Sequence, residues 1–222
     1  MTRLAPPRLT LLVDEPNFAT PLAGAEFSFH LAKFLAILDQ CASLPRDAVA
    51  LWLRGHGHGW AWWTDHLQPL AWLGQTGLKL GISAPLGSEV SEAPREMPFK
   101  LAWFQVSEAQ ATAWPCGTVP IARSCHDAPG VATALAMGAA WVTLSPVLPT
   151  PSKPGHPGLG WSDFAAVARG YPGRVVALGG LAAGDLPAAW VAGAAGAAVQ
   201  RAWTTEPAAL VAACAGPPTG RA

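Results

Sequence analysis

The chain has 222 residues, 51% of them hydrophobic, which one sizeable α/β domain accounts for. Fourteen basic and fourteen acidic side chains cancel, leaving no electrostatic footprint for nucleic acid or an anionic membrane. No apolar stretch reaches the length of a membrane span and Met1–Arg8 has no apolar leader region, so a cytoplasmic protein is expected. Cys41, Cys116, Cys125 and Cys214 are scattered without CxxC spacing, as reduced thiols would be.

Leu9–Val13 reads as a first strand that ends at Asp14-Glu15-Pro16. Phe27, Leu31, Phe34, Leu35 and Leu38 stand at helical spacing and predict a helix over Phe27–Ala42. Ala48–Leu53 is a second strand, followed by Arg54 and a glycine-rich loop with His56 and His58. Arg54 is a planar, permanently charged fork suited to phosphate or carboxylate. The two histidines read as metal ligands or as solvated loop residues, and an isolated pair favours the second. Trp60, Trp62, Trp63 and Trp72 stud a helix predicted over Trp60–Leu73, as a stacking surface or as ordinary packing. Leu78–Ile82 and Lys100–Phe104 are the third and fourth strands, with loop and a degenerate helix over Ser83–Pro98. After these strands come Ser83-Ala84 and Gln105-Val-Ser-Glu108, so Glu108 is the one carboxylate offered there.

Four more strand patterns follow, each ending in a polar or glycine-rich tip, with alanine-rich helical patterns between them. The first delivers Ser124-Cys125-His126-Asp127. The next, Trp141–Leu144, delivers Ser145 and then a proline-rich loop with Thr150, Ser152 and Lys153. The last two end in Gly179-Gly180 and Gln200-Arg201. That alternation signals a parallel sheet with crossover helices, in which the strand C-terminal ends carry the chemistry. Ser124 and His126 share one side of their strand, and Cys125 points the other way. His126 is the catalytic candidate as a general acid/base, against a structural histidine at a strand end. Ser124, Thr150 and Ser152 offer hydroxyl donors and Lys153 a point charge for substrate. Gly179 and Gly180 allow close backbone approach, and with Gln200 and Arg201 they are the phosphate-binding candidates. Asp127 is placed to cap the following helix.

The wording SxH, SPVLPTPSKPGHPGLGW, VVALGGL and GAAGAAVQRAW, in that order and spacing, resembles the thiamine phosphate synthase/TenI superfamily over roughly the C-terminal half. It resembles most the TenI-like branch, including versions fused behind a Nudix hydrolase, a domain this sequence does not contain. The resemblance implies a (β/α)8 TIM barrel, one domain over residues 1–222 with a core of about 8–212 and a frayed C-terminal tail. It implies a small-molecule ligand, thiazole phosphate, with association into a homo-oligomer left open. In the TenI-like enzymes the matching histidine moves a proton as a thiazole carboxylate tautomer is aromatised, with Arg54 or Lys153 here available for the carboxylate. In the synthases a Gln-x-Arg-x-Lys tip grips pyrophosphate; here those positions read Trp52, Arg54 and His56. The synthases' paired aspartates for Mg²⁺ fall on Ser83-Ala84 and Gln105–Glu108. A divalent cation bridging a pyrophosphate wants carboxylates, so no cofactor is expected, and Mg²⁺ only if the chain is a synthase. The kept Thr150-to-Lys153 loop, which in the synthases touches the leaving pyrophosphate, points the other way. The expected function is therefore metal-independent proton transfer on a thiazole phosphate. The alternatives are thiamine phosphate synthase and a non-catalytic, phosphate-ligand-binding regulatory relative.

Overall fold

Eight short, largely apolar runs become eight parallel strands in a computed structural model. It describes residues 5–14, 48–55, 58–67, 71, 74–84, 93, 96–110 and 119–215. The strands are β1 Leu9–Asp14, β2 Val49–Arg54, β3 Lys79–Ser83, β4 Leu101–Val106, β5 Ile121–Cys125, β6 Trp141–Leu144, β7 Val175–Leu178 and β8 Gly196–Val199. Each pairs with the next, and β8 closes the barrel on β1 through Leu9↔Ala197 and Leu11↔Val199. The expected (β/α)8 barrel is the observed one. The described helices are α1 Trp60–Leu67, α2 Ala128–Ala136, α3 Gly160–Gly170, α4 Leu186–Val191, α5 Ala202–Thr205 and α6 Pro207–Ala215. None of them is long and apolar enough to cross a membrane.

Alternation along the strands divides the apolar residues into two cores. Leu9, Leu11, Val13, Leu51, Leu53, Val142 and Leu144 face outward and pack against the helices. Leu12, Ala50, Trp52, Trp103, Ala122, Trp141, Val176 and Ala198 fill the barrel interior. Cys125 is buried in the outer core, as its place between Ser124 and His126 predicts. The interior is filled by indoles: the Trp103 and Trp141 rings lie 5.6 Å apart. Gly81 makes this possible, because a Cβ there would overlap the Trp103 ring.

The caps are local. Asp127 accepts from Gly130 N at 2.7 Å and starts α2. The small helix α5 is tied back to β1 by Trp203 Nε1, which donates to Leu12 O at 2.7 Å. In α1, Trp62 is stacked between His58 at 4.2 Å and His66 at 4.1 Å, while Trp63 is fully buried. Both faces of the Trp62 indole are thus covered by imidazoles, and packing replaces the stacking surface. The helix expected over Phe27–Ala42, together with His56, Trp72, Cys41, Cys116, most of Ser83–Pro98 and the C-terminal tail, lies outside the described residues.

Candidate active site

The strand C-terminal ends open on a cavity of about 560 Å³. Arg54, Ser124, His126, Thr150, Ser152, Lys153, Gly179, Gly180, Gln200 and Arg201 all line it. Its floor is a polar layer resting on the indoles. Gln105 accepts from Trp103 Nε1 at 3.3 Å and donates to Ser124 Oγ at 3.2 Å and Thr143 Oγ1 at 3.3 Å. Both ends of this amide are committed, as a group 3% exposed requires.

His126 stands at the tip of β5, facing the tip of β6. Its Nδ1 is 2.6 Å from Ser145 O, so Nδ1 carries a proton and donates it to that carbonyl. Lys153 Nζ lies 3.2 Å from Nδ1 and 3.4 Å from Nε2. With Nδ1 acting as a donor, Nε2 is the ring atom able to accept from the ammonium. Glu108 Oε2 is 4.0 Å from Nε2, and the carboxylate rests over Gly130, where a Cβ would collide with it. Cys125, next in sequence, takes no part. Burial above all, then the charge of Glu108, pushes its thiol up to about 12.

The loop after β6 folds across the tip of β7. Val147 N donates to Leu178 O at 2.9 Å and Leu148 N to Gly179 O at 3.0 Å. Gly179 and Gly180 have φ of 101° and 72°. A Cβ on Gly179 would stand 2.7 Å from Pro146 Cα, and one on Gly180 2.5 Å from Pro149 O. Glycine is needed here for backbone conformation and for closeness alike. Further along the loop, Ser152 N donates to Thr150 Oγ1 at 3.4 Å. Arg201 Nη2 donates to Thr150 Oγ1 at 2.9 Å, joining the β8 tip to the same loop.

On the far side of the mouth, Arg54 Nε donates to Asp14 Oδ1 at 2.6 Å, and Gln200 Nε2 donates to Asp14 Oδ2. Asp14 was visible in the sequence only as an acidic strand tip. Its partnership with Arg54 and Gln200 needs the order of strands around the barrel, which no local pattern carries.

Residues 107–203 match the family model described as thiamine monophosphate synthase. Over this stretch the chain is similar to the thiamine phosphate synthase/TenI superfamily. A Geobacter sulfurreducens protein, named provisionally as a thiamine-phosphate synthase, is 43% identical over 89 residues, 39% of this chain and 41% of that protein. The thiamine-phosphate synthase of Mycobacterium bovis is 44% identical over 87 residues, 38% of this chain and 39% of the enzyme. These matches span about two fifths of the curated relatives. The thiamine phosphate pyrophosphorylase of Pyrococcus furiosus superposes with a TM-score of 0.65, covering 94% of this chain and 97% of that one. At 15% identity that likeness is one of fold.

The superfamily's synthases imply Mg²⁺ at the tips of β3 and β4, and the residues there do not fit a divalent cation. Ser83 Oγ accepts from Trp52 Nε1 at 2.9 Å, and Gln105 is neutral and fully bonded. Asp14 has both oxygens engaged with Arg54 and Gln200, and Glu108 is turned to the His126 side. Among the described residues, no group of three or more His, Cys, Asp or Glu could hold a metal ion.

Proposed function

We propose that the cavity binds a thiazole phosphate of thiamine biosynthesis and that the chain is a transferase joining it to a pyrimidine methyl pyrophosphate. What carries this proposal is the convergence of Thr150, Lys153, Arg201, Gly179 and Gly180 on one mouth. They lie in the stretch where the chain matches relatives that bear the synthase name. In the reaction the thiazole ring nitrogen supplies its electron pair to the pyrimidine methylene carbon. A C–N bond forms as the C–O bond breaks, and pyrophosphate leaves with that bond's electrons. Negative charge then grows on the departing oxygen, where preorganised cations and N–H donors stabilise it. Lys153 and Arg201 are placed for that task, and the Gly179-Gly180 backbone for the phosphate that stays on the thiazole.

A second reading, proton transfer that interconverts thiazole tautomers, is favoured by His126. Its Nδ1 is held on Ser145 O, and Nε2 can take up and return a proton. The neutral tips of β3 and β4 also suit a reaction without a metal-bound pyrophosphate. One assay separates the two: each thiazole phosphate tautomer is supplied with and without the pyrimidine pyrophosphate, in EDTA and in Mg²⁺. Pyrophosphate release with a joined product, persisting in EDTA, supports the transferase. Conversion of one tautomer with no second substrate supports the isomerase. Binding without either reaction points to a regulatory protein. Loss of turnover in EDTA that Mg²⁺ restores would overturn the account of Ser83 and Gln105.

A further inference from the structure

On the helix side of β5, away from the mouth, a charge is buried in the outer wall of the barrel. Arg123 is 5% exposed and lies between Ala122 and Ser124, which face inward, so its side chain leaves the strand towards the helices. A guanidinium taken out of water needs acceptors for its N–H groups. Nη2 donates to Glu108 O, just beyond β4, and Nη1 lies 3.5 Å from Met137 Sδ. A thioether is a weak acceptor, so this donor is poorly matched to the sulfur it meets. Met137 closes α2 as its C-cap and is partly exposed, between exposed Ala136 and Gly138. A Cβ built on Gly138 would meet nothing within 4 Å, so the helix end is open on that side. Of the other two methionines, Met97 packs against the outer core and Met1 lies outside the described residues.

We propose that Met137 is a site of oxidation by a peroxide, at which Arg123 receives the sulfoxide oxygen. With one sulfur lone pair facing Nη1, the other attacks a peroxide oxygen. An S–O bond forms as the O–O bond breaks; the sulfur gives up two electrons and the peroxide takes them. With hydrogen peroxide, the proton of the transferred hydroxyl passes to the leaving hydroxide, which departs as water. Sulfoxidation ordinarily disrupts packing by making an apolar side chain polar. Here the polar product meets a donor already in place, and a weak N–H···S contact becomes a charge-assisted N–H···O bond. Because Arg123 also holds Glu108 O, the modified residue joins a strut between the end of α2 and the β4 tip instead of breaking it. Neither Arg123 nor Met137 lines the cavity at the mouth, so the site is separate from the proposed function.

The test treats the folded whole chain with hydrogen peroxide, locates sulfoxide by peptide mass spectrometry and follows urea unfolding. Met137 should convert at least about threefold faster than Met97. Met137→Leu, treated alike, carries every other oxidation and serves as the reference. Measured against it, oxidation of Met137 in the wild type should leave the urea midpoint unchanged or raise it. In Arg123→Leu, which removes the donor, the same oxidation should lower the midpoint. Conversion of Met97 at a comparable or greater rate overturns the proposal. So does a lower midpoint in oxidised wild type, a result that needs no variant of Arg123 to fold. An oxidised Arg123→Leu as stable as its untreated form also overturns it, because the oxygen then needs no guanidinium.

Discussion

At the tips of β5 to β8, polar side chains rest on partners that a ligand can replace. Lys153 lies on His126, Arg201 on Thr150, and Thr150, Ser152 and Lys153 ride on one exposed loop. At the tips of β1 to β4 the polar groups are spent on one another. Asp14 binds Arg54 and Gln200, Ser83 binds Trp52, and Gln105 ties Trp103 to Ser124 and Thr143. A ligand reaching the first half exchanges one exposed hydrogen bond for another. At the tips of β1 to β4 it would have to break buried or part-buried bonds, leaving groups without partners at about 1–3 kcal/mol each. The matched stretch begins at residue 107, so it takes in the exchangeable half and leaves out most of the closed one. The difference teaches that one side of the mouth presents exposed, exchangeable polar contacts while the other is internally bonded.

The sharpest way to break that contrast is at His126. If the β5 tip is chemically active, His126→Asn removes the proton carrier while keeping a polar side chain of similar reach. Where proton transfer limits turnover, the rate should fall roughly 10²–10⁴-fold with ligand affinity nearly intact. Steady-state kinetics alongside calorimetry would show the split. A folded variant turning over at the wild-type rate would make His126 structural, and the Ser145 carbonyl its reason for being there.

Arg201→Ala comes next. Removing a guanidinium from the exchangeable half should weaken inorganic phosphate by about 1.5–3 kcal/mol, the worth of a hydrogen bond to a charged group. Calorimetry in low salt checks it, and an unchanged Kd would detach Arg201 from the anion. A third substitution probes the closed half through stability. Gly81→Ala puts a Cβ into the Trp103 indole, which is 1% exposed. Overpacking of this kind costs about 1–3 kcal/mol, and urea unfolding should register it. A stability equal to wild type would mean the interior is looser than its bonded floor implies.

The contrast also explains what was legible beforehand. Strand positions were, because each is a short apolar run bounded by a polar or glycine-rich tip. The side that Cys125 takes was legible from its place between Ser124 and His126. Strand ends were less so: β2 runs through Arg54, one residue beyond the apolar pattern, because its last pairing is with Asp14. The Asp14–Gln200 bond joins residues 186 apart and exists only because β8 closes on β1. Gln105 looked like a tip residue at a metal position. Its inward seat follows from Trp103 two residues earlier and from the absence of a Cβ at Gly81 across the sheet. Local pattern specified which residues reach the mouth, and closure of the barrel decided which of them bind each other.

The smallest effect is expected at Cys125, which lies between the two active-side residues Ser124 and His126 yet faces the helices. Its thiol is pushed up from 9.0 to about 12, first by burial and then by the charge of Glu108, with Asp127 adding and Arg123 opposing. Thiolate is the reactive form, so iodoacetamide at neutral pH should label Cys125 no faster than unfolding exposes it. Cys125→Ala should leave turnover unchanged. The raised value also gives stability a pH dependence with a definite sign. The folded state holds the thiol proton to higher pH than the unfolded chain does, so any contribution is intact below pH 9 and is lost between 9 and about 12. The slope is at most about 1.4 kcal/mol per pH unit. Urea unfolding of wild type and Cys125→Ala at pH 8 and pH 10.5 isolates this group, since every other titration is shared. Wild type should lose more stability than the variant over that interval. Parallel losses would mean that the thiol titrates alike in both states, and that the outer core behind β5 admits water.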